Sequence, residues 1–186
     1  MYSAPMILNK DNPETIPTLV EILKEGGTAV LPCDTIYGLS AIYGAGEGAL
    51  RALKGRSETK PFLVIATMDQ AKELIPKIPQ EIMDAWPAPL TAVLKTSDGG
   101  TLAVRVPDDI FLQRVLSRLG CPLYSTSVNI SGEPSLLDFR SIRNRFESYV
   151  DVIVRGMEIQ GTTPSTLVDA TTRPFRVLRQ GSFILK

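Results

Sequence analysis

Histidine is absent from the chain. That alone excludes Ser-His-Asp and Cys-His nucleophilic catalysis and every histidine-ligated metal centre. Cysteine is scarce: Cys33 and Cys121 stand far apart and make no CxxC pair. One disulfide or two free thiols remain as arrangements, and a reducing cytosol favours the thiols. No uninterrupted apolar run approaches the roughly 20 residues that a membrane-spanning helix needs. Met1 to Lys10 also lack the basic-then-apolar pattern of a secretory signal. A cytoplasmic protein with no membrane contact is therefore expected. Excess charge of one sign is missing too: twenty Lys and Arg balance twenty Asp and Glu. No long-range field draws such a chain to nucleic acid or anionic lipid, so any anion site must be local.

What is present is an ordinary globular composition. The 186 residues are 44% hydrophobic and 22% charged, enough to bury a core as one domain over 1–186 without a staple. Short β-branched runs bounded by Gly or Pro predict strands at Thr28–Leu31, Phe62–Thr67, Thr91–Lys95 and Thr101–Val106. Weaker strand patterns cover Leu123–Ser127, Val150–Val154, Ser165–Asp169 and Phe175–Leu178. Helices are predicted over 14–25, 48–53, 69–75, 110–119 and 141–149. In the first, Ile16, Leu19, Val20 and Leu23 fall on one helical face, and Gly26 is available to end it. Interleaved strands and helices imply an α/β fold, a twisted open sheet with helices packed on it. The closeness of 91–95 to 101–106, and of 165–169 to 175–178, predicts hairpins. The sheet should therefore be mixed, with parallel and antiparallel pairs.

Familiar templates fail. There is no Gly-Lys-Ser/Thr phosphate loop. Gly44, Gly46 and Ala49 match a loose GxGxxA dinucleotide fingerprint, with Asp69 as the acidic residue downstream. The preceding stretch, Ile36 to Tyr43, is interrupted by Gly38 and reads poorly as a strand. A nicotinamide-dependent enzyme built on this turn is a minor alternative, and it predicts protection by NAD rather than ATP.

Four other features carry chemistry. LPCDTIYGL, Leu31 to Leu39, crowds Asp34, Thr35, Tyr37 and Gly38 into a turn after a strand, where open α/β sheets bind ligands. It reads equally as an Asx-type turn with Tyr37 packed over it. RALKGRSETKP puts four cations, Arg51, Lys54, Arg56 and Lys60, into ten residues against one acid. That suits phosphate oxygens, or a solvated helix end with cations on its negative dipole. YSTSVNISGEPS, Tyr124 to Ser135, offers hydroxyl donors to a carboxylate or phosphate, or is a plain loop. Arg105 and Arg179 stand in or at the end of apolar strands, where an unpaired charge is costly. A ligand anion or a structural carboxylate would satisfy either one.

Taken in order, these pieces resemble the YrdC-like family. The resemblance rests on Gly26-Gly27, the DTxYGL loop (Asp34 to Leu39), Lys54-x-Arg56 with Pro61, and PLT (Pro89 to Thr91). It continues through AVRVP (Ala103 to Pro107), Ser127-x-Asn129 with Ser131-Gly132, STLVD (Ser165 to Asp169) and LRQG (Leu178 to Gly181). Two departures stand out: Cys33 where the family usually has Thr, and Ala88 where it usually has Gly. The resemblance implies a YrdC-like fold with a cationic concave cleft. It also implies synthesis of threonylcarbamoyl-AMP and pyrophosphate from L-threonine, bicarbonate or CO2, and ATP, with Mg2+ on the phosphates. The product would pass to a tRNA threonylcarbamoyl transferase complex.

By the same resemblance Lys54, Arg56, Lys60, Thr101, Ser127, Asn129, Ser135 and Arg179 would bind ATP, with Lys54 and Arg56 catalytic. Thr35, Arg105, Ser125 and Ser165 would hold threonine, and Tyr37 would shape its pocket. Such chemistry needs no side-chain nucleophile, because the reacting groups come from the substrates. A non-catalytic module binding tRNA or double-stranded RNA is the rival reading. The neutral charge, the pI of about 6.3 and the lack of interleaved aromatic and basic residues argue against it.

Overall fold

The computed structural model of the protein describes residues 6–55, 57, 60–156 and 163–185. The first half runs β1 (Met6–Asn9), α1 (Thr15–Lys24), β2 (Ala29–Leu31), β3 (Gly38–Ile42), α2 (Glu47–Lys54), β4 (Leu63–Ile65), α3 (Met68–Leu74) and α4 (Gln80–Ala85). The second runs β5 (Leu90–Lys95), β6 (Thr101–Arg105), α5 (Ile110–Leu119), β7 (Leu123–Ser127), α6 (Phe139–Phe146), β8 (Val152–Arg155), β9 (Thr166–Asp169) and β10 (Arg176–Arg179). The strands join in one sheet of order β1-β8-β2-β3-β7-β4-β6-β5-β9-β10. It is mixed: β1 and β2 run parallel to β8, β4 to β6 and β5 to β9, while the other neighbours are antiparallel. Both expected hairpins, β5–β6 and β9–β10, form.

Period-two alternation sends successive side chains to opposite faces of this sheet. One face carries Val30, Leu39, Val64, Tyr124 and Ile153 against α2 and α6, and Leu90, Ala92, Val104 and Val168 against the α3–α4 region. The other face carries Ala29, Leu31, Ile65, Leu123, Val152 and Val154 against α1 and α5. Leu112, Val115, Leu116 and Leu119 of α5 are buried there with Leu19, Val20 and Leu23 of α1. Each such side chain stabilises the fold by roughly 1.5–3 kcal/mol. Asp109 starts α5 by accepting from the Leu112 N–H at 2.9 Å, and Gly120, at φ 79°, stops it. A capped ten-residue helix covers only part of a ten-stranded sheet. The remainder of that face stays open.

Three elements were not anticipated: β1, α4 and β3. The last is instructive, because Gly38 looked like an interruption. Gly38 is in β3 and pairs with Ser127 of β7. A Cβ there would sit 2.6 Å from Ser125 Oγ, so the strand needs a residue without a side chain at that point. The GxGxxA reading is corrected by the same element. β3 is antiparallel to both its neighbours, so no parallel βαβ unit surrounds the Gly44 turn. Asp69 lies in the first turn of α3 rather than at a strand end. Gly46 is there for packing, since its Cβ would come within 2.5 Å of Ala41 Cβ.

Candidate functional site

Beyond the cover of α5 the same sheet face turns polar. Along β7 the face reads Leu123, Ser125, Ser127; the leucine lies in the α1–α5 core, and the two serines line a cavity of about 390 Å³. Neighbouring strands add pairs two residues apart, Leu63/Ile65, Ala103/Arg105 and Thr91/Val93, and Ser165 with Leu167 closes the far side. Thr35, Tyr37 and Gly38 form a wall, with Ser135 and Arg179 at the rim. The volume suits a small ligand held by a few convergent polar groups on an apolar floor.

Arg105 lies at the centre of the floor and is 4% exposed. Its Nη1 donates to Thr35 Oγ1 at 2.9 Å, and its Nη2 to Asp34 Oδ1. Its Nε is buried with no partner among the described residues. Asp34 also accepts from the Asp108 N–H at 3.2 Å and from the Cys33 thiol at 3.0 Å. Burial pushes the Cys33 thiol up to about 12, so it stays protonated and donates. Both cysteines are free thiols. Tyr37 is buried, and its hydroxyl oxygen accepts from the Gly156 N–H at 3.0 Å, bracing the wall.

Lys54 ends α2, is buried, and donates from Nζ to Ser127 O at 2.6 Å and to Asn129 Oδ1 at 2.7 Å. Ser127 Oγ donates to the same Asn129 oxygen at 2.7 Å, and Asn129 Nδ2 to Glu133 O at 2.6 Å. Lys54 and the serine-x-asparagine element, more than 70 residues apart, thus meet as one hydrogen-bonded knot at the exit of β7. Arg51, counted in the same basic run, turns instead to structural work. It pairs with Glu47 at 2.5 Å, reaches Ser57 O at 2.6 Å and stacks 5.1 Å from the Phe62 ring centroid.

On the opposite wall Ser165 Oγ and Thr91 Oγ1 share a hydrogen bond of 2.8 Å. Arg179 donates to Ser165 O from Nε at 3.1 Å and from Nη2 at 2.9 Å. Partial burial first, and the nearby Arg105 guanidinium second, hold the Arg179 pKa below its ordinary value. Two arginines close enough to repel one another across a hydroxyl-lined cavity favour an anion between them.

Eight expected residues therefore line one cavity: Thr35, Tyr37, Arg105, Ser125, Ser127, Ser135, Ser165 and Arg179. Lys54 and Asn129 adjoin it through Ser127. Thr101 shares the face of Ala103 and Arg105, but it is exposed at the other end of β6, about 13 Å along the strand from Arg105. Lys60 is exposed, and Arg56 lies outside the described residues. The cavity lining that is described carries charge at Arg105 and Arg179, not at the basic run. Thr91 went unassigned, although its period-two relation to Val93 and its place in PLT are the signal that finds it.

Fold and cavity together define an α/β protein with a small polar cavity on the uncovered half of a mixed sheet. Residues 21–181 match the model of the Sua5/YciO/YrdC family, described as telomere recombination, and the chain belongs to that family. It is 32% identical over 181 residues to a threonylcarbamoyl-AMP synthase of Pyrococcus abyssi, covering 88% of this chain and 53% of that protein. The chain thus spans about half the length of that relative. A crystal structure of Pyrococcus abyssi Sua5 complexed with L-threonine superposes with a TM-score of 0.86 at 28% identity, over 96% of this chain and 58% of that one. Escherichia coli YciO superposes with the same TM-score at 25% identity, over 99% of this chain and 98% of that one. Among the described residues no helix is long and apolar enough to cross a membrane.

Proposed function

We propose that the protein is an L-threonylcarbamoyladenylate synthase, a nucleotidyltransferase. Its substrates are L-threonine, bicarbonate and ATP, and its products are threonylcarbamoyl-AMP, pyrophosphate and water. The observation that carries this reading is the buried Arg105 in a hydroxyl-lined cavity, flanked by Arg179 and by the Lys54–Ser127–Asn129 knot. A buried guanidinium with an unpartnered Nε fits an amino-acid carboxylate. Thr35, Ser125 and Ser165 supply further hydroxyls around it.

The reaction needs positioning rather than a side-chain nucleophile. The threonine nitrogen takes up the carboxyl carbon of bicarbonate as water leaves. A carbamate oxygen then attacks the α-phosphorus, and its bond to the pyrophosphate oxygen breaks. Two anions must be held against each other while charge grows on phosphoryl oxygens, work for fixed cations and hydroxyls. Lys54 brings a charge to the β7 exit while fixing Ser127 and Asn129. With Arg56, Lys60, Ser135, Thr101 and Arg179 it forms the proposed nucleotide side of a cationic cleft. Among the described residues no group of three or more His, Cys, Asp or Glu is placed to cage a cation. Mg2+ would therefore arrive on the triphosphate, keeping phosphate oxygens and water as ligands. The product is an activated carbamoyl donor, to be consumed by a tRNA threonylcarbamoyl transferase complex in the cytoplasm.

Pyrophosphate release from ATP, with threonine and bicarbonate omitted in turn, tests the reading. Release requiring both is expected. Release with neither would replace the synthase with an ATP hydrolase that splits ATP into AMP and pyrophosphate. No release from folded, ATP-binding protein would make the chain a binding module, and salt-titrated RNA binding would follow.

A further inference from the structure

Asp34 holds none of the roles assigned so far, yet three parts of the site converge on its carboxylate. Oδ1 accepts from Arg105 Nη2 and from the Cys33 thiol at 3.0 Å, and Oδ2 accepts from the Asp108 N–H at 3.2 Å. The Arg105 side chain is 4% exposed and that of Asp34 11%, so solvent balances neither charge. Thr35 takes Nη1 at 2.9 Å, which fixes two arms of the guanidinium and leaves the buried Nε without an acceptor among the described residues. A planar fork gripped at two points can present its remaining N–H groups in only one direction.

We propose that Asp34 is a positioning residue, whose carboxylate sets the plane of Arg105 so that its unused N–H groups meet the carboxylate of L-threonine. This rests on the reading of Arg105 as the carboxylate ligand. The opposite role, an internal carboxylate that competes with the substrate for Arg105, would require Asp34 to let go when ligand arrives. Its grip on the Asp108 N–H and on the Cys33 thiol speaks against that. The Asp108 N–H holds Oδ2, the oxygen Arg105 does not use, and the Cys33 thiol holds Oδ1 alongside Arg105 Nη2, so both carboxylate oxygens are anchored independently of the guanidinium. The pair also explains how a nearly buried arginine is tolerated before substrate binds.

The test compares wild type with Asp34→Asn and Asp34→Glu, measuring L-threonine and ATP affinity by calorimetry, thermal unfolding, and pyrophosphate release. Asparagine keeps the shape and drops the charge; glutamate keeps the charge and shifts the fork by one methylene. A tenfold or greater loss of threonine affinity in both variants is expected, with ATP affinity changed less than twofold. Equal weakening of both ligands would make Asp34 merely structural and overturn the proposal. Unchanged or tighter threonine binding in either folded variant would overturn it too, the latter in favour of the competing role. If asparagine does not fold, the glutamate variant decides by the same criteria. Wild type that binds threonine but releases no pyrophosphate defeats the synthase reading alone. Wild type that binds no threonine defeats both.

Discussion

One face of the sheet does two different jobs at its two ends. Under α1 and α5 it presents Leu31, Leu123, Val152 and Val154 to an apolar cover; a few strands away it presents Ser125, Ser127, Thr91 and Arg105 to a cavity. β7 belongs to both ends: within five residues the pattern on this face changes from leucine to two serines. The backbone is the same in kind, with β7 paired to β3 and β4. The difference lies in what can be left uncovered. An apolar surface must be packed against a cover to stabilise the fold, whereas hydroxyls and a paired arginine can line a cavity and keep hydrogen-bonding capacity for a ligand.

The largest effect should blur this division. Arg105→Ala is expected to abolish turnover, and also to cost about 3–5 kcal/mol, because it strands the Asp34 carboxylate in a nearly buried place. Urea unfolding of Arg105→Ala beside an Arg105→Ala/Asp34→Ala double variant checks this. The double variant should regain stability without regaining turnover. On the covered half, Leu116→Ala should lower stability by about 2–5 kcal/mol through the cavity it leaves under α5. Threonine affinity of the folded fraction should be unchanged.

Between the halves, Gly38→Ala brings a Cβ to 2.6 Å from Ser125 Oγ. A loss of about 1–3 kcal/mol is expected, with weaker threonine binding, because the strand and the serine must both give way. Ser125→Ala should separate the two jobs most cleanly, moving stability by less than about 0.5 kcal/mol while threonine affinity falls several-fold. The smallest effect concerns Cys33, whose thiol burial raises to about 12 from a usual 9.0. The folded state therefore keeps a proton that the unfolded chain releases above pH 9. Stability should decline as pH rises from about 9 toward about 12, and Cys33→Ser should flatten that slope. Alkylation of Cys33 at pH 8 should be far slower than that of a peptide thiol.

Much of this was legible in the residues. The β-branched runs that became β2, β4, β5 and β6 sit between turn formers, and the apolar stripe of α1 is regular, so local pattern and final burial agree. β3 escaped because its glycine serves a neighbour, Ser125, far along the chain. β1 escaped as a short edge strand with Met6 and Ile7 exposed and little pattern to show. In the site, residue types were readable but partnerships were not. Arg105 called for an anion, yet nothing local says that Asp34, 71 residues earlier, already supplies one. Composition alone showed four cations in a run, and only the resemblance set Arg51 apart from Lys54, Arg56 and Lys60. The fold divides them, burying Lys54 against Ser127 and Asn129 and pinning Arg51 to Glu47. Long-range pairing decides such roles, and periodicity carries no information about it.

The account stands or falls on where the amino acid sits. A crystal structure of the protein soaked with L-threonine and a non-hydrolysable ATP analogue measures that directly. The account predicts threonine density on the open half of the sheet, its carboxylate against Arg105 and its remaining polar atoms among Thr35, Ser125 and Ser165. The analogue's phosphates should lie toward Ser127 and Arg179. Threonine bound elsewhere, with Arg105 still sealed by Asp34 and facing an empty cavity, would contradict it.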